Sequence, residues 1–244
     1  MQVSAQWCLT GAGPALTICL CLCLLACACA CACWLEFPIR NSAIVASAIT
    51  ILSLILATPA AYSLARFRFP GKDWLAYIFI AVMMAPLISL VYPILTIANQ
   101  LGLNDTHLGL ILLYLPWNIP FAVWMLRTFV SDVPHELEEA ALVDGCTRIS
   151  AFARITAPLL IPGFFTTGVF IFIRAWNELV IAFFLTSSQA RTLPTTIDFF
   201  LTYGMVQFAP MFAAGVVSTL PIVICGLLMR RYYLTGVTAG ALKG

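Results

Sequence analysis

A chain of 244 residues with 62% hydrophobic and 9% charged side chains has too few polar groups to clothe a globule in water, because soluble domains carry about 25% charged residues. The mean hydropathy of +1.02 agrees, and the composition is that of an integral membrane protein. Twelve Lys+Arg against ten Asp+Glu leave a net charge of +2, which makes no broad basic surface, so nucleic acid is not an expected partner.

Six apolar runs follow along the chain, over residues 14–34, 43–64, 74–98, 108–130, 164–185 and 209–232. A spanning helix needs roughly 20 apolar residues, and these runs are continuously apolar where a barrel strand would alternate over about ten. The expected fold is all-α, a polytopic membrane protein with about six transmembrane helices. The first run lies in an atypical segment, residues 1–40, that carries Cys8, Cys19, Cys21, Cys23, Cys27, Cys29, Cys31 and Cys33. Alternate positions on a helix diverge in direction. The spacing is not that of a zinc motif and the run holds no His, so it reads as a low-complexity apolar span and no metal site is expected.

The second run ends in the basic stretch Arg66, Arg68 and Lys72. Counting the runs as crossings puts Arg127, Arg148, Arg154, Arg230, Arg231 and Lys243 on the same side, against Arg40 and Arg191 on the other. The positive-inside bias then puts both termini and residues 65–73 and 131–163 in the cytoplasm. In the fourth run Pro116 and Pro120 bracket Trp117 and Asn118. Prolines at that density free backbone carbonyls, which is tolerated where helices surround a cavity. Trp117 and Asn118 are thus candidate path residues, with ordinary packing as the favoured competing role.

Residues 131–163 hold most of the polar chemistry on the basic side. Ser131 or Asp132 can cap a helix whose first turn takes Pro134, and Glu136, Glu138 and Glu139 complement its positive end. Gly145 is a natural stop and Thr147 can cap the next short helix. Ala141 and Gly145 lie one turn apart beside Ala140 and Leu137, a small-residue face that allows close approach of another surface. A helix lying on lipid would favour Lys and Arg, and this one is acidic.

The fifth run carries Arg174, Trp176, Asn177 and Glu178. Arg174 falls about 15 Å into the span at about 1.5 Å per residue, where insertion costs about 2.5–3.5 kcal/mol unless it faces protein or water. Glu178, one turn on, can pair with it. An internal ion pair and a polar lining of a path are the competing roles.

Glu139-Ala140-Ala141, then Gly145, then Ile155, Ala157 and Pro158 resemble the EAA motif of binding-protein-dependent ABC importer permeases, with Ala157 where that family expects Leu. Residues 59–72 are similar to the end of the second span of carbohydrate-type permeases, Ala175-Trp176-Asn177-Glu178 to their fifth span, and residues 236–244 to the tail of the maltose-transporter type. The resemblance runs from about Asn41 to the end and departs from the family over the first forty residues.

The resemblance implies the type I importer permease fold over residues 41–244, in a bacterial or archaeal cytoplasmic membrane. It implies a second permease subunit, identical or not, two ABC ATPase subunits and an extracytoplasmic solute-binding protein. Glu139, Ala140, Ala141, Asp144, Gly145, Ile155 and Pro158 would couple the chain to the ATPase. The chain itself would bind no cofactor: Gly71-Lys72 is followed by Asp and lacks the upstream glycine of a phosphate loop, so ATP and Mg belong to the ATPase. Trp176 and Asn177 would suit a sugar, by stacking and amide hydrogen bonds, and Arg174 would suit an anionic sugar or polyol phosphate. The expected function is translocation of a sugar or polyol. The alternatives are the same machine for a polyamine, peptide or oxyanion, a membrane-embedded enzyme, for which the spans show no nucleophile–base set, and an assembly subunit without transport.

Overall fold

The computed structural model describes the backbone of residues 14–202 and 208–241, with side chains over 35–197 and much of 208–229. All regular elements among the described residues are helical. The first, α1 (Pro14–Arg66), is a single helix of 53 residues, about 80 Å long at about 1.5 Å per residue. The sequence suggested separate crossings over residues 14–34 and 43–64, and one helix runs through both. The polar residues between the two runs serve another purpose. Asn41, fully buried, donates to the carbonyls of Gln189 and Arg191 at 2.9 and 3.0 Å, and the Ser42 hydroxyl accepts from the Leu193 amide at 2.8 Å. They tether the helix flank to the 189–193 segment. The side chains of the cysteine run and of the tail from Arg230 onward lie outside the described residues.

The expected third crossing is two helices, α2 (Lys72–Met84) and α3 (Leu87–Gln100), set at 92°. Pro86 is the cause: it forces its predecessor toward extended backbone, and Ala85 sits at φ −63, ψ 125. The fourth crossing agrees closely with expectation as α4 (His107–Asp132). Thr106 caps it by accepting from the Gly109 amide at 3.0 Å, and Pro116 and Pro120 are carried inside the helix without ending it.

Asp132 closes α4 instead of capping the next helix. α5 (His135–Val143) starts behind Pro134 with no side-chain cap, which is tolerable because its acidic first turn faces the positive dipole end. Then come α6 (Arg148–Ala151), a π turn (Phe152–Thr156), α7 (Ala157–Leu159) and α8 (Ile161–Trp176), with a 70° bend before α8. The expected fifth crossing ends early: α8 stops at Trp176 and α9 (Val180–Leu185) begins after a break. Last are α10 (Leu193–Thr202) and α11 (Phe208–Ala241), the latter containing the expected sixth run. Among the described residues α1 from Leu35 and α4 are each long and apolar enough to cross a membrane, and the two bent pairs pass the same test as pairs.

The core is built around α1. Ala46, Ile49, Ala57 and Ala61 share one buried cluster with Ala122, Val123 and Leu126 of α4 and Ile171 of α8. Small residues let helices in lipid approach closely where no hydrophobic drive separates helix from solvent. Gly163 does the same for α8 against α4, since a Cβ there would lie 2.6 Å from the Phe129 ring. A second buried cluster, Val130, Val133 and Leu160 with Tyr62 and Phe152 against it, closes the end that carries α5.

Candidate functional site

The α5 end is organised by one carboxylate. Glu138, 8% exposed, accepts at Oε1 from Arg66 Nε at 3.0 Å and from the Thr156 hydroxyl at 2.6 Å, and at Oε2 from the Tyr62 hydroxyl at 3.0 Å. Arg66 Nη2 also donates to the Val133 carbonyl at 2.8 Å. Arg66 and Glu138 form a buried ion pair in which the Arg66 side chain is 3% exposed. One side chain therefore ties α5 to the end of α1 and to the π turn. Sequence reasoning assigned Glu138 only to the dipole. Its partner lies 72 positions away, and no local pattern distinguishes it from Glu136 and Glu139.

With Glu138 inward, the outer face of α5 follows. Glu139, Ala140, Asp144 and Gly145 are exposed and Ala141 is buried, so the small face reaching from Ala141 to Gly145 is divided: Ala141 packs inside and Ala140 points out. Val143 is 87% exposed and Ile149, at the start of α6, 82%. Two branched apolar side chains are thus left almost wholly bare among the polar residues of α5 and α6. Gly145 sits at φ +85 and completes a C-terminal lock: the Gly145 amide donates to Leu142 O at 3.1 Å and the Cys146 amide to Ala141 O at 3.0 Å. That pairing is the Schellman arrangement, which needs a left-handed residue at this position. Thr147 caps α6 as expected, accepting from the Ser150 amide at 3.3 Å. Ile155 is half-buried in the π turn and Pro158 is exposed in α7. Here the Ala157 amide reaches back to Phe152 O, a wide turn that accommodates a proline ring unable to donate at the next position.

The membrane-embedded candidates separate. Trp176 is 3% exposed; its indole donates to the Ser218 carbonyl of α11 at 3.1 Å and stacks on Phe172. It joins α8 to α11 in the core. Asn177 is exposed and turns its amide onto Ile173 O at 2.9 Å, capping the end of α8. Glu178 accepts from the Ile181 amide at 3.2 Å and opens α9. The Arg174–Glu178 ion pair, one of the two roles weighed from the sequence, does not form, because the helix that would have set them one turn apart ends between them. Arg174 instead lies exposed with its guanidinium carbon 4.8 Å from the centre of the Phe121 ring of α4. In α4, Asn118 is buried and donates to Tyr114 O at 2.9 Å, a helix-internal role, while Trp117 is half-buried.

At the opposite end Asp105, in the α3–α4 turn at φ 52, receives four successive amides, those of Ser187, Ser188, Gln189 and Ala190, at 2.9–3.1 Å. The Ser187 and Ser188 hydroxyls add to them. Partial burial disfavours its charge, but the backbone donors of Ala190, Gln189, Ser188 and Ser187 outweigh that and hold the carboxyl well below the usual range. Sequence reasoning overlooked this clasp, whose only cue was a turn-forming Asn104-Asp105 pair.

The family described as binding-protein-dependent transport system inner membrane component matches residues 40–238. The trehalose/maltose transport system permease protein of Thermococcus litoralis is 37% identical over 214 residues, covering 86% of this chain and 77% of the relative. The trehalose transport system permease protein of Mycobacterium tuberculosis is 38% identical over 209 residues, covering 84% and 76%. In fold, the chain is similar to a crystal structure of a bacterial ABC transporter that imports the acidic polysaccharide alginate, with TM-score 0.64 and 21% identity over 81% of this chain and 75% of that one. A helical membrane chain with these relatives is a transporter permease and not an enzyme: it belongs to the inner-membrane components of binding-protein-dependent transport systems.

Proposed function

We propose that this chain is a sugar-translocating permease subunit of an ATP-driven importer, with α5 on the cytoplasmic side as the dock for an ABC ATPase. The observation that carries the docking half is the α5–α6 knob, where Val143 and Ile149 are bare while Glu138 and Ala141 fix the inner face. The apolar side chains and Glu139 would seat in the ATPase, which binds the ATP and Mg. Paired permeases, two ATPases and an extracytoplasmic binding protein complete the machine, and the single continuous α1 removes the turn that would have returned the N-terminus to the cytoplasm. Closure of the ATPases would bias an inward/outward equilibrium by moving the docked helices as rigid bodies. Sugar as cargo is supported by the two trehalose-system relatives at 37–38% identity.

Ile155 and Pro158 support the knob from behind, in the π turn and α7. For the path, Arg174 and Asn177 are the candidates left on an exposed face, with Trp117 half-buried on α4, while Trp176 joins α8 to α11 and Glu178 and Asn118 bond locally at α9 and within α4. A second reading, an anionic saccharide, is favoured by Arg174 itself: it rests on an aromatic ring with no carboxylate paired to it among the described residues.

The test is uptake of labelled trehalose and maltose into proteoliposomes holding the chain with its partner permease, ATPase and binding protein. Val143→Asp/Ile149→Asp is expected to release the ATPase in pull-down and abolish uptake while the chain still inserts. ATPase retained with normal uptake would refute the docking assignment.

A further inference from the structure

On the basis of that reading, we propose that Glu138 is the positioning residue through which displacement of α5 reaches α1, the helix around which the membrane core is packed. The bonding pattern argues for transmission. α5 is nine residues long and is too short to hold itself in place, because isolated helices under about 12–15 residues are marginal. Besides its packing on α6 and the π turn, its firm attachment is the Glu138 carboxylate, held by groups from α1 and the π turn at once. α1 in turn packs against α4, α8, α10 and α11. A push on the exposed face of α5 therefore meets α1 directly through the Glu138 side chain, beside the indirect packing of Phe152 on Tyr62 and Arg148 on Phe67.

Stability alone is a poor reason for this arrangement. A buried ion pair is seldom more stabilising than a well-packed apolar pair of similar volume. What three directional bonds to one carboxylate add is fixed register: an apolar contact lets two elements slide, whereas Arg66 Nε, Tyr62 and Thr156 each lose geometry as soon as α5 shifts relative to α1. Arg66 extends the same restraint to the α4–α5 junction through Val133 O. The Glu138 cluster also takes in the π turn between α6 and α7, a geometry that recurs at functional sites, and Thr156 at its end makes the shortest bond of the cluster, 2.6 Å.

The distinction between a strut and a stabilising plug can be measured. The experiment uses the full transporter in proteoliposomes and compares wild type, Glu138→Ala, Glu138→Gln and the apolar replacement Arg66→Met/Glu138→Leu. Three readouts are taken: thermal stability, ATPase co-purification, and ATP hydrolysis stimulated by solute-loaded binding protein alongside uptake. The ATPase is expected to co-purify with every variant, since the exposed face of α5 is untouched. Glu138→Ala is expected to lose stability and also stimulation, the latter about tenfold, within the roughly 5–150-fold span of coupling between sites. Glu138→Gln, which keeps the shape but not the charge, is expected to fall between.

The apolar pair decides the matter. It is expected to recover thermal stability without recovering stimulation or uptake. Recovery of both together would overturn the proposal, as would normal stimulation in Glu138→Ala. A wild-type chain that retains no ATPase overturns the docking reading itself, a result visible before any variant is made.

Discussion

Gly145 shows how much a single backbone angle can specify. Its φ of +85 lies in the region that costs an L side chain about 1–2 kcal/mol, and a Cβ there would meet nothing within 4 Å. The residue is glycine for its backbone and not for space. Gly145→Ala is accordingly expected to lower stability by about 1–2 kcal/mol, with Gly145→Asn less harmful because Asn tolerates the left-handed region; thermal unfolding of the detergent-purified chain measures both. Asp105 gives a pH signature. A carboxyl depressed in the folded state contributes stability that is complete above its unfolded value, about 3.9, and is lost as pH falls toward the lower folded value. The melting-temperature gap between wild type and Asp105→Ala is therefore expected to be constant from pH 7 to 5 and to narrow below about pH 4. A gap that widens on acidification would contradict the backbone-donor account.

Among the elements, the breaks matter as much as the helices. Hydropathy located α4 and the apolar body of α8 and α11, because burial in lipid or core demands long apolar runs whatever the contacts. It could not locate the 92° bend between α2 and α3, since both arms are apolar, although Pro86 was a visible cue. The break at residues 177–179 had no Gly or Pro to announce it, and the polar residues there, read from the sequence as solute ligands, also terminate α8 and open α9. Trp176 shows the same limit: an indole suits a sugar face or a core equally, and only the bond to Ser218 O distinguishes them. Trp176→Ala is thus expected to destabilise the chain by about 3–5 kcal/mol and to lower its amount in the membrane, without altering which solute the remaining molecules carry; quantitative immunoblotting beside normalised uptake tests this. Gly163→Ala is expected to push Phe129 off α8, and a second change, Phe129→Leu, to restore part of the lost stability by removing the ring that a Cβ would strike at 2.6 Å.

For the whole molecule, the sequence was informative about what is repeated or charged and silent about long-range pairing. Composition set the membrane class, and the Glu139–Pro158 spacing led to the family. Neither could join Arg66 to Glu138 or Asn41 to residues 189–191, because such pairs depend on how the helices are arranged in three dimensions. Orientation is open to direct measurement. A single cysteine at position 140, in a chain stripped of its native cysteines, is expected to react with an impermeant maleimide only in inside-out vesicles, and labelling of intact cells would reverse the topology.

One helix is riveted twice. Asn41 fastens α1 to the 189–193 segment, and some 25 residues later, about 38 Å along the axis at 1.5 Å per residue, Arg66 fastens it to α5. A rigid rod gripped at its middle and at one end cannot tilt at one without swinging the other. Gaping on one face of the bilayer is then geometrically bound to pinching on the other, so the two mouths of such a see-saw would not stand open together.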